Sequence, residues 1–146
     1  MGARAAVLTA LEQNIKPRAL VLVSYPLTGG KKGEKREQNR ESILRDLPSD
    51  IDVLFVFGSE DFQCNSDLLE QVTQNMAART WFLKVEGADH SMSLKDKSAV
   101  QRMRMWTGTI AAGWLKNRDA TKSHCSLAWN KAERKVRHED WHRSNT

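Results

Sequence analysis

Two short apolar runs constrain this chain more than anything else in it, because each is stopped by a glycine and followed at once by a titratable side chain. The first, IDVLFVFGSED (Ile51 to Asp61), is apolar from Val53 to Phe57 and breaks at Gly58. The second, TWFLKVEGADH (Thr80 to His90), breaks at Gly87. Short apolar runs without alternation read as strands buried on both faces, the pattern of parallel strands in α/β proteins. Between them, NSDLLEQVTQNMAA places Leu68, Leu69, Val72 and Met76 on one helical face, with Asn65 or Ser66 in position to cap its start. A right-handed strand, helix, strand unit lays its two strands side by side or nearly so, pointing the same way. Asp61 and His90 then leave the sheet at its carboxyl edge, where ligand and catalytic groups of open α/β sheets gather.

The other segments extend this pattern. Gly2 to Gln13 reads as a helix with Ala3, Val7, Ala10 and Leu11 on one face, stopped by Pro17. ALVLVSYPL (Ala19 to Leu27) follows as another buried strand. Thr28 to Glu41 is polar and rich in glycine at one end, so it reads as a surface loop. Its glycines do not fit a phosphate-binding loop, because Gly33 is followed by Glu34. Ile43, Leu44 and Leu47 suggest a short helix ending at Pro48. Lys97 to Lys116 places Val100, Met103, Trp106, Ile110 and Trp114 at spacings of three and four, a long amphipathic helix able to cover one sheet face. From Arg118 to Thr146 the periodicity fades, which predicts a polar, partly disordered tail with a short helix around Trp129 to Val136. The expectation is an α/β domain over 1–117, with a mostly parallel three-stranded sheet and flanking helices, and a tail over 118–146.

Composition narrows the function classes. The net charge is +5, yet residues from Asp119 onward carry 6 Lys and Arg against 4 Asp and Glu, leaving 17 against 14 for the rest. No basic arm or stripe emerges, so a nucleic-acid partner is not expected. Two cysteines, Cys64 and Cys125, are too few for a disulfide framework, and no secretory leader opens the sequence; a cytoplasmic or nuclear protein is expected. No apolar run approaches the roughly 18 residues of a membrane span.

No metal or cofactor is expected either. HEDWH (His138 to His142) matches a zinc-protease motif by letter, but that chemistry needs a further downstream ligand, and only four residues follow. Cys125, His138 and His142 have the second half of a zinc-finger spacing without the first, since residues 120 to 123 are ATKS.

Helix, strand, helix, strand with Asp, helix, strand with His, helix resembles the second half of an α/β-hydrolase, whose triad runs Ser, acid, His along the chain. The local matches are SYPL after the first strand, GSEDFQC after the second and GADHSM after the third. These resemble the KANL/Tex-type branch, related to dienelactone hydrolases. That branch has a nucleophile elbow of the form G-x-S-M-G followed by a small residue and RAA, and this chain begins MGARAA. The resemblance covers Met1 to roughly Asn117 and implies ester or related acyl hydrolysis of a small substrate. It makes Asp61 the triad acid and His90 the general base. It also places the nucleophile serine just ahead of Met1, so the 146 residues by themselves are expected to be inactive. A non-catalytic scaffold and a truncated product of a longer hydrolase gene are the rival readings. Cys64, in the acid loop, is read as a packed thiol. The strand leading into the elbow would pair with Ala19 to Leu27, so Val21 to Tyr25 is expected to offer an open edge for self-association.

Overall fold

The computed structural model describes residues 3, 7, 18–28 and 38–144. Five strands form one sheet in the order β1 (Ala19–Val23), β2 (Asp52–Gly58), β3 (Arg79–Val85), β4 (His124–Asn130) and β5 (Lys135–His142). The first four run parallel and β5 turns back antiparallel to β4. Three helices are interleaved: α1 (Gln38–Arg45), α2 (Ser66–Thr73) and α3 (Val100–Lys116), the last entered through a 3-10 turn at Lys97–Ala99. This is an α/β fold consistent with part of an α/β-hydrolase. Most of the helix expected over Gly2 to Gln13 lies outside the described residues, although Ala3 and Val7 are helical, as do residues 29–37 of the expected loop.

β2 is the centre of the sheet's apolar packing, and all seven of its residues are buried. Successive side chains of a strand point to opposite faces. Val53, Phe55 and Phe57 therefore join the cluster under α1 and α2 with Leu44, Leu69 and Val72, while Leu54 and Val56 join the cluster under α3 with Met103, Ile110 and Trp114. Asn65 starts α2 by accepting from the backbone N–H groups of Asp67 and Leu68 through Oδ1. Because α3 lies on the opposite face from α1 and α2, the β3–α3–β4 connection has the opposite hand to the two before it.

Two expectations need correction. The sheet has five strands rather than three, and the segment expected to be a disordered tail with a helix around Trp129 to Val136 is the β4–β5 hairpin. In β4 the even spacing of Cys125 and Leu127 buries one row against α3, and Trp129, Val136 and Trp141 pack at the margin of the same cluster. β5 is an edge strand, and its charged, mostly exposed outer residues suit an edge that does not recruit further strands. β1 is the other edge among the described residues.

At the amino edge, Asp52 opens β2 almost fully buried and accepts from two arginines. Arg79 gives Nε to Oδ1 at 2.8 Å and Nη2 to Oδ2 at 2.9 Å, and Arg118 gives Nε to Oδ2 at 2.6 Å. Arg118 also caps the end of α3 through the Leu115 carbonyl and lies over Trp114, so this carboxylate ties the helix end to the strands. Burial pushes the Asp52 carboxyl up, but the two guanidinium groups outweigh it and hold it below the ordinary carboxylate range. A lowered folded-state value means the clamp contributes fully above the unfolded value of about 3.9 and is lost as pH falls through the folded one. Asp52→Asn should therefore cost about 2 kcal/mol in urea unfolding at pH 7, and the gap to the parent chain should close on acidification below about pH 4.

Candidate active site

The site begins with a glycine that lets two backbones meet. A Cβ at Gly58, the last residue of β2, would lie 2.0 Å from the Ala88 carbonyl oxygen and 2.5 Å from its carbon. With only hydrogen there, the loops that follow β2 and β3 lock together. Ser59 N–H donates to Val85 O at 3.1 Å, Glu60 N–H to Ala88 O at 2.9 Å, and Gly87 N–H to Ser59 Oγ at 2.8 Å. Gly87 turns the second loop with φ 81°, a conformation that favours glycine.

Each loop then fixes one side chain. In the first, the Asp61 side chain is fully buried, and Oδ1 accepts from Gln63 N–H at 2.9 Å. In the second, Asp89 Oδ1 accepts from the N–H groups of Ser91 and Ser93, and Asp89 N–H donates to Ser93 O, which closes the turn that carries His90. Met92 completes this turn at φ 60°, a strained conformation for a residue with a side chain. The structure brings the two expected residues together: His90 Nδ1 lies 2.9 Å from Asp61 Oδ2. An ionised carboxylate only accepts, so Nδ1 carries the hydrogen and neutral His90 presents a lone pair at Nε2. Nε2 has no hydrogen-bond partner among the described residues, and the His90 side chain is 31% exposed while its partner is sealed.

Residues 1–114 of the chain match the Alpha/beta hydrolase domain family. The chain belongs to that family. The crystal structure of the esterase domain of a Rhodothermus marinus protein superposes on the hydrolase domain with a TM-score of 0.53 and 16% identity, which is a likeness of fold. The match covers 79% of this chain and 57% of that esterase domain, so the hydrolase domain described here spans little more than half of its neighbour's length. β4 and β5 lie beyond the family match.

The other sequence candidates separate from this pair. Cys64 is buried at the end of the acid loop, where burial and then the Asp61 charge push its thiol far up, away from the thiolate a nucleophile requires. Burial and the nearby Glu139 likewise push Cys125 up to about 11. HEDWH lies on strand β5, so it lacks the helical turn that the zinc-protease motif needs. Among the described residues no helix is long and apolar enough to cross a membrane.

Sequence reading missed the supports of the site: Gln63 and Asp89 act through hydrogen bonds within their own loops and Ser59 through one that joins the two, and the small residue at Gly58 was the one visible signal. Gly58→Ala should cost about 3 kcal/mol, because the added methyl meets rigid backbone rather than a yielding side chain. Thermal unfolding measures the loss, and the Nδ1–H resonance of His90 should vanish or move as the loops part.

Proposed function

We propose that Asp61 and His90 are the acid and base of a serine-hydrolase triad acting on small esters or related acyl compounds. The observation that carries this reading is the sealed carboxylate 2.9 Å from Nδ1 of a half-open imidazole whose Nε2 has no partner among the described residues. Family membership and the chain order of acid then histidine support it. The SYPL, GSEDFQC and GADHSM segments support placing the chain in the KANL/Tex-type branch related to dienelactone hydrolases, and unpaired cysteines suit a cytoplasmic or nuclear setting.

In this reading the nucleophile serine belongs to an elbow immediately ahead of Met1. His90 Nε2 takes the Oγ proton as the oxygen attacks the ester carbonyl, and the buried Asp61 stabilises the imidazolium that forms. The proton then passes to the departing alkoxide, leaving an acyl-serine that water hydrolyses with His90 again as base.

The test uses the chain extended upstream through a G-x-S elbow and measures p-nitrophenyl ester turnover. His90→Ala and Asp61→Asn should each lower kcat about 10³- to 10⁴-fold with the fold intact. If both variants kept the rate within about twofold while replacement of the serine abolished it, the acid and base would be other residues.

A further inference from the structure

Where β4 begins, a histidine is held between a serine and a carboxylate. His124 Nε2 lies 2.7 Å from Glu70 Oε1 on α2, and His124 Nδ1 lies 2.9 Å from Ser123 Oγ. An ionised carboxylate only accepts, so Nε2 carries the ring hydrogen and Nδ1 keeps its lone pair. The Ser123 hydroxyl therefore donates to Nδ1. The ring is fixed in place, since it lies over Phe82 with centroids 4.9 Å apart, and Ser123 O accepts from Phe82 N–H at 2.8 Å. This trio stands at the amino end of β4, whereas Asp61 and His90 follow the carboxyl ends of the parallel strands β2 and β3.

Fastening the hairpin to α2 needs only the His124–Glu70 contact. The Ser123–His124 contact joins neighbours in sequence and ties nothing distant. What it does is set a hydroxyl against the basic nitrogen of an imidazole whose other nitrogen is oriented by a carboxylate, the arrangement that activates a serine as a nucleophile. The surroundings suit that use. Ser123 is half-buried and the His124 and Glu70 side chains are 22% and 42% exposed, so a small reagent reaches all three. The Ser123 backbone N–H has no acceptor among the described residues, and a nucleophile's own N–H is one of the donors that hold an oxyanion in serine hydrolases. Beside His124 opens a cavity of about 410 Å³ lined in part by Phe57, Phe82, Lys84 and Ser126, a size within the range of small-molecule sites.

We propose that Ser123 is a second nucleophilic centre, independent of the Asp61–His90 pair, that takes the acyl group of small activated esters. Ser123 Oγ bonds to the ester carbonyl carbon as its proton passes to His124 Nδ1, and Glu70 stabilises the imidazolium that forms. The tetrahedral intermediate collapses by breaking the ester C–O bond, and the Nδ1 proton leaves with the departing oxygen, giving the alcohol and acyl-Ser123. Water that loses a proton to Nδ1 then attacks the acyl carbon, which releases the acid and restores the serine.

p-Nitrophenyl acetate tests this on the 146-residue chain. Acid quenching and peptide mapping should find an acetyl group on Ser123, formed about tenfold or more faster than in the same chain unfolded in urea. Ser123→Ala should remove that adduct, His124→Gln should slow its formation about 10²-fold, and Glu70→Gln about tenfold. Thermal unfolding checks that each variant folds. The Glu70 side chain is exposed enough that Glu70→Gln leaves the core untouched, so it carries the comparison should His124→Gln unfold. The rate should also fall on acidification, because a protonated His124 no longer accepts the hydroxyl proton. Acetylation confined to Lys122 or His124 would overturn the proposal. So would a rate at Ser123 no faster than in the unfolded chain, or Glu70→Gln leaving that rate within about twofold.

Discussion

Gly58 and Ala88 touch backbone to backbone, and the carboxyl edge of this sheet depends on that contact. The position of a Cβ at Gly58 is already filled by the Ala88 carbonyl, so the approach is open to glycine alone. Once made, it sets the two loops in register through Ser59, Glu60 and Gly87 and places residues 29 apart in sequence at 2.9 Å. The Asp61–His90 hydrogen bond follows from this geometry. Burial of the carboxylate contributes too, since the sealed group has few partners besides the imidazole and the Gln63 N–H.

Between the loops at one end and the Asp52 clamp at the other lies a strand buried on both faces. Leu54 and Val56 face α3 while Val53, Phe55 and Phe57 face α1 and α2, so β2 can neither rotate nor slip by one residue without exchanging its two buried rows. That rigidity lets a charge be held at each end. Asp52 is neutralised by two guanidinium groups that also pack on Trp81 and Trp114, whereas Asp61 is held by hydrogen bonds within its own edge. Both carboxylates are buried, yet their partners differ in kind: permanent cations at the structural end, a titratable imidazole at the open end.

The parts legible in the sequence are those whose signal is local. Val53 to Phe57 and Trp81 to Val85 announce buried strands, and Asp61 and His90 stand one turn beyond them, so topology alone puts both at one edge. β4 and β5 were not legible for two reasons. β4 buries only Cys125 and Leu127 and β5 buries no residue fully, and HCSLAWN and KVRHEDWH carry enough polar residues to read as tail. The connection into β4 also has the opposite hand to the two preceding it, and the usual preference for one hand gives no reason to seek a further parallel strand beyond α3. The Asp52–Arg118 pairing was hidden differently, because 66 residues separate the partners.

The hairpin changes more than the strand count. Without β4, the outer backbone edge of β3 would be open; with it, Phe82 to Val85 is paired on both sides, and the exposed edge passes to β5, whose charged residues tolerate water. The same hairpin brings Trp141 to the amino edge beside Trp81 and Trp114, which lie within the family match, while Trp141 lies beyond it. The Ser123–His124–Glu70 relay is likewise a product of the junction between the shared domain and its added strands, since Glu70 lies within that match and Ser123 and His124 beyond it. The indoles also hold the clamp, since Arg118 over Trp114 is the guanidinium that binds Asp52. Anything that orders those indoles also bears on the end of β2, and β2 is the strand whose other end carries the acid loop.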